Sequence, residues 1–256
     1  MERLFPSITL QRDLANIASV TSQYGLLWVM SALEKGWVVS VPDHEGPNAA
    51  FGAGILAGQG TLDSIRVALQ SKTITRLLSD AKIALWGYSG GALAAEWALE
   101  IKQQYAPELK ITAAAIGGEL KDHFRPNASA IYDVTRQCTI PTIVEFGYKN
   151  FWDYIDSGDE LLDDPYLQKI FAQNKMGNLG TSKVPTYMYH AINDELLPFQ
   201  NIQDLYEKYC SAGANIQFSE EVFGEHIIVA LTGAAGALGY LIDRVDGKAA
   251  PVGCHS

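Results

Sequence analysis

The sequence predicts an α/β fold, a mainly parallel sheet covered by helices on both faces. Short apolar runs alternate with segments of helical period along most of the chain. One such run, Ile83-Ala-Leu-Trp86, passes through Gly87-Tyr-Ser-Gly-Gly91 straight into the helix formers Ala92-Leu-Ala-Ala-Glu-Trp-Ala-Leu-Glu100, a strand–turn–helix. There is no internal repeat or low-complexity tract, and 256 residues can bury one full core with room for an insertion.

Taken in order, residues 14–33 read as a helix ended by Lys35 and a C-capping Gly36. Trp37 to Val41 is a strand that runs into the polar turn Pro42-Asp-His-Glu-Gly-Pro47. After a glycine-rich stretch from Phe51 to Gly60, Thr61 reads as the N-cap of a second helix. The helix after Ser89 extends to about Tyr105, and a strand from Leu109 to Ile116 closes on Gly117-Gly118. Alternation resumes at Val184 to His190, a strand opening onto Ala191-Ile-Asn-Asp-Glu-Leu-Leu-Pro198. A helix from Phe199 to Ser211, a short strand from Asn215 to Ser219, the loop Gly224-Glu-His226 and a small-residue helix from Ile227 to Arg244 follow, with an extended tail after Asp246.

The rhythm breaks between residues 119 and 180, where aromatic side chains are scattered among charges. This divides the chain into a core, residues 1–118 and 181–256, and an insertion at 119–180 with the composition of a cap over an apolar pocket or of a satellite core. A net charge of −10 argues against nucleic acid or an anionic membrane surface as the main partner. The N-terminus lacks the apolar core of a secretory signal, which predicts a cytoplasmic protein unless a leader precedes it. The apolar stretch from Ile227 to Ile242 is too short to span a bilayer. Cys138, Cys210 and Cys254 allow one intramolecular disulfide at most, no pair has metal-ligand spacing, and no metal or cofactor is expected.

The Gly-x-Ser-x-Gly turn directs the chemistry. Such a turn lifts the Ser89 hydroxyl over the sheet edge and aims the Gly90 N–H where an oxyanion would form. A serine needs a base to take its proton, and the base needs a carboxylate to fix its tautomer. Asp194 lies in a loop leaving a strand, where side chains reach the carboxyl edge of the sheet, although Asn193-Asp194 also reads as an Asx-turn. Glu195 is the fallback acid. Five histidines compete for the base: His44 and His123 precede the acid, His190 ends a strand as a core or pocket-wall residue, and His255 is in the tail. His226 follows the acid and starts a helix, where a histidine is also a common cap.

Trp86-Gly-Tyr-Ser-Gly-Gly-Ala92, Pro42-Asp-His-Glu-Gly-Pro47, Gly60-Thr-Leu-Asp-Ser-Ile-Arg66, Tyr189-His-Ala-Ile-Asn-Asp-Glu195 and Gly224-Glu-His226 together resemble the fungal secretory lipase family from about Leu33 onward. The resemblance implies an α/β-hydrolase with a helical cap that cleaves triacylglycerols and other carboxylic esters. It implies Ser89 as nucleophile, Asp194 as acid, His226 as base and Gly90 as an oxyanion donor. It also implies extracellular location, an ester or lipid substrate met at a transient lipid interface, and a Cys210–Cys254 disulfide. Tyr88, Phe146 and Trp152 are the expected substrate contacts. Against the family pattern the chain begins after the upstream loop that gives the second oxyanion donor, the cap is short between Gly118 and Cys138, and Cys138 has lost its partner. Asn127-Ala-Ser129 is a glycosylation sequon if the chain is secreted. Two rivals remain: a deacetylase of a secondary metabolite with the same chemistry, and a shortened, inactive fold that binds an apolar ligand or a partner.

Overall fold

A computed structural model describes residues 3–6, 20–47, 50, 52–78, 80–118 and 163–256. In chain order these form β1 (Arg3–Pro6), α1 (Val20–Glu34), β2 (Val38–Ser40), α2 (Gly54–Gln70), α3 (Lys72–Thr75), β3 (Lys82–Tyr88), α4 (Gly90–Tyr105), β4 (Ile111–Gly117), α5 (Pro165–Gln173), β5 (Thr186–Ala191), α6 (Phe199–Ser211), β6 (Ile216–Glu221), α7 (His226–Thr232) and α8 (Ala234–Val245). The chain divides into two compact units, Met1–Lys121 with Met176–Ser256, and Asp122–Lys175. In the second unit the described part is the segment from Asp163 that contains α5.

Among the described residues the first unit is built on a six-stranded sheet in the order β2-β1-β3-β4-β5-β6, every neighbouring pair parallel. Parallel strands buried on both faces need apolar side chains on both. In β3, Ile83 and Leu85 enter the core under α2, α4 and α6, while Ala84, Trp86 and Tyr88 enter the core under α1 and α8. The chain steps outward from β1 to β2 and then returns to β3 on the other side of β1. That reversal opens a crevice at the carboxyl ends of β1 and β3, where ligands bind in open parallel sheets. Ser89 leaves β3 at this edge.

Three elements differ from the sequence reading. β1 is too short to read as a strand from its pattern, and its parallel pairing with β2 and β3 makes it one. The second helix begins at Gly54, not at Thr61, which is fully buried in mid-helix. The glycines that suggested a loop instead allow backbone contact between α2 and α4: a Cβ on Gly58 would lie 2.8 Å from the Trp97 carbonyl carbon. Packing there overrides the poor helix propensity of glycine. The helix expected from Ile227 to Arg244 is two helices bent by 41° at Gly233, which runs against the Tyr189 ring. Among the described residues no single helix is long and apolar enough to cross a membrane. The start of the first helix at residue 14 lies outside the described residues, as do Cys138, His123, Asn127, and Phe146 and Trp152.

The tail docks beside β6, with the Ile216 N–H donating to Gly253 and the Phe218 N–H to His255, and the Cys210–Cys254 disulfide ties it to α6. Under α4 lie two carboxyl groups one turn apart, Glu96 and Glu100, both buried. Glu100 accepts from the Tyr209 hydroxyl at 2.6 Å and from the Gly177 and Leu179 N–H groups. Burial, then the charge of Glu100, pushes Glu96 up to about 8 from 4.5. Glu96 is therefore protonated in the fold at pH values where the unfolded chain has released the proton. The contribution of Glu96 to stability falls as pH rises from about 4.5 to about 8 and levels off above. Glu96→Gln should flatten that fall, raising the melting temperature more at pH 8 than at pH 5; equal shifts at both would contradict the buried acid.

Candidate active site

The turn after β3 holds Ser89 at φ 52°, ψ −120°, a backbone conformation that side chains rarely adopt and that is common at functional turns. It is over-determined on both sides. The Ser89 N–H donates to the Gly117 carbonyl at 2.9 Å, and the Ser89 carbonyl accepts from Leu93 in the first turn of α4. A Cβ on Gly87 would sit 2.1 Å from the Gly91 carbonyl oxygen, so the close return of helix on strand requires glycine there. Gly90 is the first residue of α4, where a backbone N–H has no partner within the helix and is free to meet an anion.

Asp194 follows β5 by three residues, and its side chain is fully buried. Its two oxygens divide the readings made from sequence. Oδ1 accepts from the Leu196 and Leu197 N–H groups at 3.0 and 2.8 Å, the expected Asx-turn. Oδ2 lies 2.8 Å from His226 Nδ1. Burial alone would raise the Asp194 carboxyl, but the His226 bond and charge, the Leu197 N–H and His190 outweigh it and hold the group below its ordinary value. With Nδ1 donating to a carboxylate, His226 presents Nε2 as an acceptor.

His226 is itself held by its main chain. It opens α7, and the Glu195 carboxylate accepts its N–H at 2.8 Å, so Glu195 grips the backbone of His226 while Asp194 takes the ring. The Tyr88 hydroxyl donates to the His226 carbonyl at 2.5 Å. The ring of Tyr88, an expected substrate contact, is buried against Trp28, Tyr189 and His226, and its hydroxyl serves the histidine. This signal was present in the sequence only as adjacency, Tyr88 to the serine and Glu195 to the aspartate.

Ser89 and His226 converge on one place, the end of β4. Gly117 receives the Ser89 N–H, and a Cβ on Gly118 would come within 2.9 Å of His226 Cε1. No hydrogen bond joins the Ser89 hydroxyl to His226 among the described residues; such bonds commonly tighten when substrate is bound. His190 is buried beside Asp194, whereas His44 is buried in the turn after β2 and His255 lies in the exposed tail. The second oxyanion donor of α/β-hydrolases comes from the loop after the strand that precedes the first helix. Residues 7–19, which follow β1, lie outside the described residues.

A parallel sheet with a strained serine between β3 and α4, and an aspartate and a histidine after the later strands, defines an α/β-hydrolase fold. The chain matches the secretory lipase family over residues 11–124 and 119–253, and it belongs to that family. It is 33% identical to lipase A of Arthroderma benhamiae over 93% of this chain and 59% of that protein. It is 30% identical to a Mycobacterium tuberculosis protein named a probable inactive lipase, over 96% and 63%. Lipase A of Candida antarctica in its closed state superimposes with a TM-score of 0.81 at 26% identity, over 98% of this chain and 72% of that one. The chain thus spans about three fifths of the length of the curated relatives it matches.

Proposed function

We propose that this protein hydrolyses carboxylic esters through an acyl-enzyme. His226 Nε2 takes the Ser89 proton as Ser89 Oγ attacks the ester carbonyl, and the Gly90 N–H stabilises the oxyanion. His226 then returns the proton to the departing alcohol, and water releases the acyl group by the same steps. Asp194 stays ionised and balances the imidazolium. The observation that carries this reading is the 2.8 Å contact between His226 Nδ1 and the buried, doubly N–H-bonded Asp194 carboxylate. A surface-cap histidine has no need of it.

The named lipases among the relatives support an ester or lipid substrate, and the family's secretory character together with the Cys210–Cys254 bond supports an extracellular setting. Residues 119–180, with Phe146 and Trp152, are proposed as the cap that meets the acyl chain. The test is turnover of nitrophenyl esters of increasing chain length. A lipase-like protein should prefer the longer chains, a deacetylase the acetate, and absence of turnover on every ester would refute the enzyme.

A further inference from the structure

We propose that His190 is a positioning residue for the Asp194 carboxylate, a second imidazole that braces the acid of the triad; the role rests on the ester-hydrolase reading of Ser89, Asp194 and His226. His190 is the penultimate residue of β5 and is 1% exposed. Its Nε2 lies 3.0 Å from the Leu197 carbonyl oxygen and 3.4 Å from Asp194 Oδ2, the oxygen that meets His226. Both neighbours are acceptors only, so Nε2 carries the proton. Nδ1 is buried with no partner among the described residues, so a proton there would be left unsatisfied and the ring is neutral. Burial lowers the tendency of His190 to protonate, in agreement.

The N–H therefore donates to the Leu197 carbonyl at one end of the turn that carries the acid, and its positive end passes 3.4 Å from Asp194 Oδ2 at the other. The bond to Leu197 holds the residue whose own N–H binds Asp194 Oδ1, and so fixes the direction of the carboxylate; the ring dipole beside Oδ2 lessens its basicity. Without it the carboxylate favours the imidazolium of His226 more strongly, and the acid limb of the activity profile moves to higher pH. Other titratable groups face the same region. They are Glu195 on the same turn, Tyr88 from β3, Tyr189 on β5, Glu221 from β6, and Glu220, which pairs with His190 across β5 and β6. None is altered in the variants below.

The test compares His190→Gln, whose amide N–H reaches the Nε2 position, with His190→Asn, whose shorter amide does not, and His190→Phe, which fills the space without a donor. His190→Phe and His190→Asn should lose about tenfold in kcat, the upper scale of one buried hydrogen bond, at unchanged KM. Their acid limb in kcat/KM should shift to higher pH, and His190→Gln should restore both. The low-field NMR resonance of the His226 Nδ1–H should move in the first two and return in His190→Gln, a readout that needs no turnover. A folded His190→Asn with the wild-type limb and resonance would overturn the role, as would a loss of rate that His190→Gln does not rescue. Wild-type protein without esterase activity, but with a resonance that moves as described, would refute the ester-hydrolase reading and leave the brace standing.

Discussion

Ser89→Ala should lower kcat for ester hydrolysis by about 10⁶, the scale seen when the serine of such a triad is removed. The turn makes this a clean experiment. Ser89 sits at φ 52°, and alanine, with the same Cβ, leaves that strain in place. The backbone bonds of residue 89 to Gly117 and Leu93 do not involve the hydroxyl and survive. Loss of activity with an unchanged melting temperature would then be chemical. It is measured as burst and steady-state release of nitrophenol, together with thermal unfolding. A variant that keeps more than a few per cent of the rate would show that another group supplies the nucleophile.

Asp194→Asn should cost about 10⁴ in kcat, for a different reason. The amide oxygen can still accept from the Leu196 and Leu197 N–H groups, so the turn holds. The amide nitrogen would then face His226 Nδ1, 2.8 Å from the present carboxylate oxygen, and donate to it. The imidazole proton is forced to Nε2, where it points at the serine and cannot accept. KM should change little, and kcat/KM should lose its acid limb in the range where the wild type shows it. A mild loss, with the limb retained, would mean that Glu195 serves the ring, against its observed bond to the His226 backbone.

The sequence carried the sheet because β3, β4 and β5 are apolar runs buried on both faces, and α6 was legible to its last residue because Gly213 follows with φ 78°. It misplaced the start of α2 because a glycine that permits close packing has the same composition as one in a loop. Only the contact of Gly58 with the Trp97 backbone separates the two. β1 was illegible for a related reason: four residues ending in proline become a strand through their neighbours, not through their own pattern. At the site, chain order picks out Asp194 and His226, which lie 2.8 Å apart in the fold. What order could not reveal is how His226 is held, since the Tyr88 hydroxyl and the Glu195 carboxylate reach it across 138 and 31 residues of chain.

The most direct measurement is mass mapping of the adduct formed with a fluorophosphonate probe. One covalent phosphonate should form on the peptide carrying Ser89, rapidly in the wild type and far more slowly in Asp194→Asn and His226→Ala. A well-folded wild-type protein that stays unmodified, or an adduct on another residue, would contradict it.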